Sequence, residues 1–251
     1  MNTISKSKIL TITGKGDGFG AQYQAIISGL AFARFNGYIY RHTPFNKIEH
    51  IDYPKEMELF CGFKSDNEDD ISREIDIIDD YINEIHNSKT PDIYYNDDFL
   101  EEIRELYMST PKPDNCKYNV AVHIRRGDVI ADSNCHDINI RYTPNETYLI
   151  IMNYIRTQYK NATFCIYSEG KEKDFEILKK DDVYFSLNDN IKKTFHELVT
   201  ADILVTAKSS FSYCAALLSY GKIFYIPFWH YPLKKWIICN DNKLNLFEYS
   251  I

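Results

Sequence analysis

From Tyr118 to Ile226 the chain alternates short β-branched and aromatic runs with stretches of helical spacing. That order restricts this part of it to a parallel α/β sheet covered on both faces. Tyr118–Ile124, Thr163–Ser168, Val183–Ser186, Ile203–Ala207 and Lys222–Ile226 read as five strands, the last of them closing the sheet. Between them Asn145–Tyr159 (opened by Pro144), Lys171–Lys179, Ile191–Thr200 and Phe211–Ser219 read as helices, and Arg125–Thr143 as a loop. In such sheets ligands bind beyond the carboxyl ends of the strands.

The chain also begins with a βαβ pattern. Lys8–Thr13 reads as a strand, Gly14–Gly20 as a glycine loop, 21–36 as a helix ended by Gly37, and Tyr38–His42 as a second strand. Farther on, Ile71, Ile75, Ile78, Ile82 and Ile85 recur at intervals of three and four in a segment with eight acids between 66 and 80, which predicts an acidic amphipathic helix. A second helix is expected over Asp98–Tyr107. The two prolines of Thr110–Cys116 predict a linker, giving an N-terminal Rossmann-like domain over 1–112 and a C-terminal one over 113–251.

Composition narrows the function. A chain of 251 residues with 44% hydrophobic and 26% charged residues holds a core without disulfides or metal. The net charge of −7 argues against a nucleic-acid partner, which needs a basic face. Residues 1–115 carry 12 Lys/Arg against 21 Asp/Glu, residues 116–251 carry 17 against 15, so a small anion suits the second half better. The six cysteines include no CxxC pair and complete no zinc pattern; Cys165 and Cys214 read as buried hydrophobes. With no long apolar stretch and no small-residue cleavage site, neither a membrane span nor a signal peptide is visible, and a cytoplasmic protein with reduced thiols is expected. On that footing the sequons at Asn145 and Asn161 mean little.

Three segments carry chemistry. In Gly14–Gly20 the glycines at 16, 18 and 20 let backbone approach a ligand at a helix N-terminus, although a turn needed only for chain geometry reads the same way. The spacing matches neither a P-loop nor a dinucleotide fingerprint. His123-Ile-Arg-Arg-Gly-Asp128 ends a strand, where Arg125 and Arg126 can grip an anion in bidentate fashion or join a surface ion-pair network. In Ala201–Ser212 a strand runs into Lys208-Ser209-Ser210, whose hydroxyls cap a helix and whose amides suit phosphate oxygens. Together the segments point to a phosphate-bearing ligand.

HIRRGD at 123–128, followed by YTPNETY, resembles the HxRRxD signature of the GDP-fucose-dependent fucosyltransferases, the group of α1,2-, α1,6- and protein O-fucosyltransferases. Residues 201–212 resemble their later motif, with Asp202 seven positions before Ser209, in a form closest to the α1,2 branch. GDGFGAQ at 16–22 resembles their glycine loop, with Ala21 where Asn is usual. The resemblance implies a GT-B-like fold, two Rossmann-like domains facing a cleft, and inverting transfer of L-fucose from GDP-fucose to a glycan hydroxyl, with no metal and no cofactor beyond the donor. It implies that Arg125 and Arg126 hold the diphosphate and that His123 and Asp202 meet the guanine and ribose end. Ser209, Ser210 and Phe211 would close over the phosphates, while Gly18, Phe19, Gly20 and Gln22 approach from the other domain. Asp128, Asp132, Asp137, His136 and Asp17 are candidates for the general base, with Asp17 and Asp132 carried forward beside Arg126 as catalytic. Asn96-Asp97-Asp98 reads as surface acids rather than a metal site. Another GDP-sugar such as GDP-mannose, or a catalytically silent nucleotide- or glycan-binding protein, are the competing readings.

Overall fold

The computed structural model describes residues 8–12, 17–63, 75–77, 85, 88–131, 138–240 and 247–248. The chain divides into two compact units, Met1–Pro111 and Lys112–Ile251.

The first unit is built on a three-stranded parallel sheet. Strand β1 (Ile9–Thr11) lies between β2 (Ile39–Tyr40) and β3 (Ile75–Ile77). Helix α1 (Phe19–Phe35) connects β1 to β2 and buries nearly every side, as its all-round apolar sequence requires. Helix α2 (Pro54–Phe60) starts on a proline, and α3 (Asp97–Met108) is capped by the Asn96 side chain, which accepts from the Phe99 amide. Asn96, Asp97 and Asp98 are therefore a helix start with acids in its first turn.

The expected acidic helix is corrected at 75–77. Ile75-Asp76-Ile77 alternates at period two as well as fitting the longer spacing, and β1 offers it a parallel edge, with Ile9 opposite Ile75. Ile85 is helical and buried; the rest of that expected helix lies outside the described residues.

The second unit carries β4 (Val120–His123), β5 (Phe164–Ser168), β6 (Val183–Leu187), β7 (Ile203–Val205), β8 (Lys222–Tyr225), β9 (Ile237–Ile238) and β10 (Phe247–Glu248), in the order β10-β9-β8-β7-β4-β5-β6. All pairings are parallel except β10 with β9. The sheet thus runs past Lys222–Ile226, the expected last strand. β9 and β10 have two residues each, too short for a periodic signal, and exist because β8 leaves an edge that Ile237 and Ile238 fill. The expected loop 125–143 also contains two short helices, α4 (Asp128–Ala131) and α5 (Ile138–Arg141). Helix α6 (Asn145–Gln158) lays Tyr148, Ile151, Met152 and Ile155 on the sheet against Val120, Val122, Phe164 and Val205. Each such side chain contributes about 1.5–3 kcal/mol by leaving water. The expected helix after β5 is a 3-10 turn, Glu172–Leu178, kinked at Phe175. Helices α7 (Ile191–Thr200) and α8 (Ser210–Leu218) follow β6 and β7, and Cys165 and Cys214 are buried as the sequence predicts.

Gly221 shows how tightly the return from α8 to β8 is drawn. A Cβ there would lie 2.4 Å from the Ala201 carbonyl oxygen and 2.7 Å from that of Asp202. These are backbone atoms that cannot rotate away, so Gly221→Ala is expected to lower stability by about 1–3 kcal/mol in urea unfolding.

Candidate functional site

In the second unit the loops after β4, β5 and β7 meet at the carboxyl edge of the sheet. Ile124 extends the ladder by donating its amide to the Tyr167 carbonyl, and Ser168 Oγ donates to the Ile124 carbonyl at 2.6 Å. These bonds fix the chain as it leaves β4, and the arginines follow at once.

Arg125 is partly exposed and donates from Nε and Nη2 to the two oxygens of Asp128, at 3.3 and 2.6 Å. Asp128 therefore orients Arg125, as its place in the motif suggests, and Arg141 approaches the same carboxylate at 4.0 Å. Arg126 is buried, only 5% exposed. Its Nη1 donates to the Arg125 carbonyl at 2.8 Å, and its Nη2 to the Thr143 carbonyl at 3.1 Å and to Asn145 Oδ1 at 2.5 Å. The Tyr142 ring lies over the guanidinium at 4.6 Å, with Phe175 farther off at 5.9 Å. Asn145 is held in turn by donating to the Asp174 carbonyl. Among the described residues no carboxylate pairs with Arg126. A buried cation surrounded by neutral acceptors is incompletely compensated, and an arriving anion supplies what is missing.

His123 ends β4 with its ring 5.4 Å from that of Phe211, which also meets Phe195 edge-on at 5.2 Å. Burial, reinforced by the Arg125 charge, holds His123 down to about 3, so the imidazole is neutral at pH 7. Its Nδ1 and the Thr143 hydroxyl are buried without a hydrogen-bond partner among the described residues. Ser209 caps α8 by accepting from the Phe211 amide at 3.2 Å, while Ser212 Oγ accepts from the Ala207 amide, so this strand-to-helix turn is braced from within. Lys208 Nζ donates to the Tyr142 carbonyl at 3.5 Å and links the turn to the arginine loop. Ser210 opens α8, partly exposed.

Asp202 does not join this group. It precedes β7, accepts from Asn119 Nδ2 at 3.3 Å, and through its carbonyl from the Lys222 amide. That is the amino edge of the sheet, with the length of β7 between it and Ser209. At ~3.3 Å per residue the separation exceeds 10 Å.

The glycine-loop residues belong to the first unit. Asp17 is exposed and its carboxylate accepts from the Gly18 amide at 2.7 Å. Gln22 is buried and donates from Nε2 to the carbonyls of Asp17, at 2.5 Å, and Lys47, at 2.8 Å, so it ties the loop down. Phe19 stacks on Tyr23 and meets Phe45 edge-on, inside the core, and Gly20 is buried in the first turn of α1. Gly18 is the exception: a Cβ there would meet nothing within 4 Å. Gly14, Gly16, Asp132, His136 and Asp137 lie outside the described residues.

Asn145, Tyr142 and Thr143 are site residues that sequence reasoning missed. All three stand in the YTPNETY stretch that accompanies the resemblance, and Asn145 also reads as a sequon and a helix start, but nothing in that spacing signals that they brace Arg126. Among the described residues no group of three or more His, Cys, Asp or Glu could hold a metal ion, and no helix is long and apolar enough to cross a membrane.

The family model for glycosyl transferase family 11 matches residues 19–244. No curated protein matches the sequence. Among solved structures, POFUT1 in complex with GDP-fucose is 13% identical, with a TM-score of 0.46 over 88% of this chain and 98% of that one. The α1,6-fucosyltransferase NodZ, which has been crystallised from Bradyrhizobium, is 12% identical in its complex with GDP, with a TM-score of 0.44 over 89% and 96%. The E. coli heptosyltransferase WaaC with ADP is 11% identical, with a TM-score of 0.37 over 94% and 70%.

Proposed function

Since the chain belongs to glycosyl transferase family 11, and is a fucosyltransferase by that membership, we propose that it moves L-fucose from GDP-fucose to a glycan hydroxyl, with inversion and without a metal. The observation that carries the donor assignment is Arg126, a buried guanidinium with neutral partners and no carboxylate among the described residues, at the carboxyl edge of a parallel sheet. In this reading the 113–251 domain binds the donor and the 1–112 domain serves the acceptor.

The β-phosphate of GDP leaves carrying negative charge. Arg125, pre-aimed by Asp128, and Arg126, pre-aimed by Asn145, stabilise that charge at no cost of reorganisation. The N-terminus of α8 adds its amides and dipole, with Ser209, Ser210 and Phe211 around the phosphates. His123, neutral beside Phe211, contacts the nucleoside end. Within the first unit Gly18 is open, since a Cβ there would meet nothing within 4 Å, and Gln22 keeps that loop in shape. Asp202 takes no part.

Thermal shift with GDP, UDP, ADP and CMP tests the nucleotide: GDP is expected to raise the melting temperature and the other three to leave it unchanged. Stabilisation by UDP alone would refute the reading. Slow hydrolysis of GDP-fucose but not of GDP-mannose is the expected result for the sugar; the residues described read the nucleotide and diphosphate, so this measurement and not the thermal shift decides it.

A further inference from the structure

Inverting transfer needs a group that takes the acceptor's proton, and the described carboxylates around the arginine loop can be sorted by what already holds them. Asp128 is committed to Arg125. Asp174 accepts from the Lys171 amide in a capping box, and Asp189 pairs with Lys193. Glu169 is different. It follows the last residue of β5, directly after Ser168, whose hydroxyl holds the Ile124 carbonyl beside Arg125. It is exposed, and among the described residues its carboxylate makes no hydrogen bond or ion pair, although two arginines lie in the neighbouring loop.

The loop is shaped around that carboxylate. Gly127 adopts φ +62°, in the left-handed region, and a Cβ on it would fall 1.6 Å from Glu169 Oε2. Only a glycine lets the carboxylate lie against the backbone between the arginine pair and Asp128. A solvated carboxylate placed there, against the backbone that follows the arginine pair and claimed by no cation among the described residues, keeps its lone pairs for an incoming hydroxyl.

We infer that Glu169 is the general base of the transfer. The inference rests on the fucosyl-transfer reading above. As the acceptor oxygen bonds to C1 of fucose, its proton passes to a Glu169 oxygen. The C1–O bond to the β-phosphate breaks, the electron pair leaves with GDP, and the protonated Glu169 returns its proton to water. A positioned base of this kind contributes on the order of 10²–10⁴-fold.

The full chain tests this without knowledge of the natural acceptor, because water accepts fucose during hydrolysis of GDP-fucose and needs the same base. Glu169→Gln is expected to slow hydrolysis at least about a hundredfold, with GDP affinity by calorimetry unchanged or tightened by removal of a negative charge near the diphosphate. Glu169→Asp, which keeps the carboxylate and shortens its reach, is expected to fall between. Hydrolysis by Glu169→Gln within threefold of wild type overturns the assignment while leaving the transferase reading intact. So does a loss of rate matched by an equal loss of GDP affinity. A wild-type chain that binds GDP but does not hydrolyse GDP-fucose overturns both.

Discussion

Replacing Arg126 with alanine is expected to weaken GDP binding at least about a hundredfold and to lower stability by about 1–3 kcal/mol. The first figure follows from two charge-assisted contacts to phosphate at roughly 1.5–3 kcal/mol each, with tenfold in affinity per 1.4 kcal/mol. The second follows from what Arg126 leaves behind. The carbonyls of Arg125 and Thr143 and the Asn145 amide lose their donor inside a buried site, and Tyr142 loses the group it covers. Sequence alone presents Arg126 as an anion ligand or a member of a surface ion-pair network; its burial makes it a structural residue as well. Arg126→Lys separates the two roles. A lysine keeps the charge but cannot point to three acceptors and a phosphate at once, so it is expected to recover much of the stability and little of the affinity. Calorimetric titration with GDP beside urea unfolding checks both, and unchanged GDP affinity in the alanine variant would remove Arg126 from the donor site.

What could be read from the chain and what could not divide along one physical line. The strand before HIRRGD and the strand before KSSFS are legible because their apolar runs are local. A residue just past the end of a parallel strand is at the ligand edge whatever the rest of the fold does. Asp202 fails for the converse reason. Its seven-residue spacing to Ser209 spans all of β7, so the two stand at opposite edges of the sheet. Phe19 looks like part of a flexible glycine loop but occupies the first position of α1, where helix geometry turns it inward onto Tyr23. Tyr142 and Asn145 meet Arg126 from the far end of the loop after β4, and Glu169 meets Gly127 from the end of β5, contacts that no periodicity encodes. Ile75–Ile77 belongs with them: one isoleucine pattern serves both a helix and a strand, and the free edge of β1 decides.

Lowering the pH from 7 to 5 is expected to destabilise the protein through two buried imidazoles. Burial and then Arg125 hold His123 down to about 3, and burial and then Lys112 hold His196 at about 4. Both return to roughly 6.5 in the unfolded chain. A base whose folded pKa is depressed takes up a proton on unfolding, so its contribution is complete above about pH 6.5 and is lost as the pH falls toward the folded value. At pH 5 each histidine costs up to about 2 kcal/mol. Glu58 and Glu197 work the other way: burial raises both, the folded state binds their protons more tightly, and they return part of the loss as pH falls. Asp182 and Asp189, lowered by Arg156 and Lys193, matter only below the ordinary carboxylate range. Urea unfolding of His123→Asn isolates the first term, and the variant's loss of stability between pH 7 and pH 5 is expected to be smaller than that of wild type by about 2 kcal/mol. Equal losses would mean that His123 is already charged in the folded protein. A charged His123 would place a third cation beside Arg125 and Arg126; a neutral one leaves the charge of the site to the two arginines and offers Nδ1 as a hydrogen-bonding group alone.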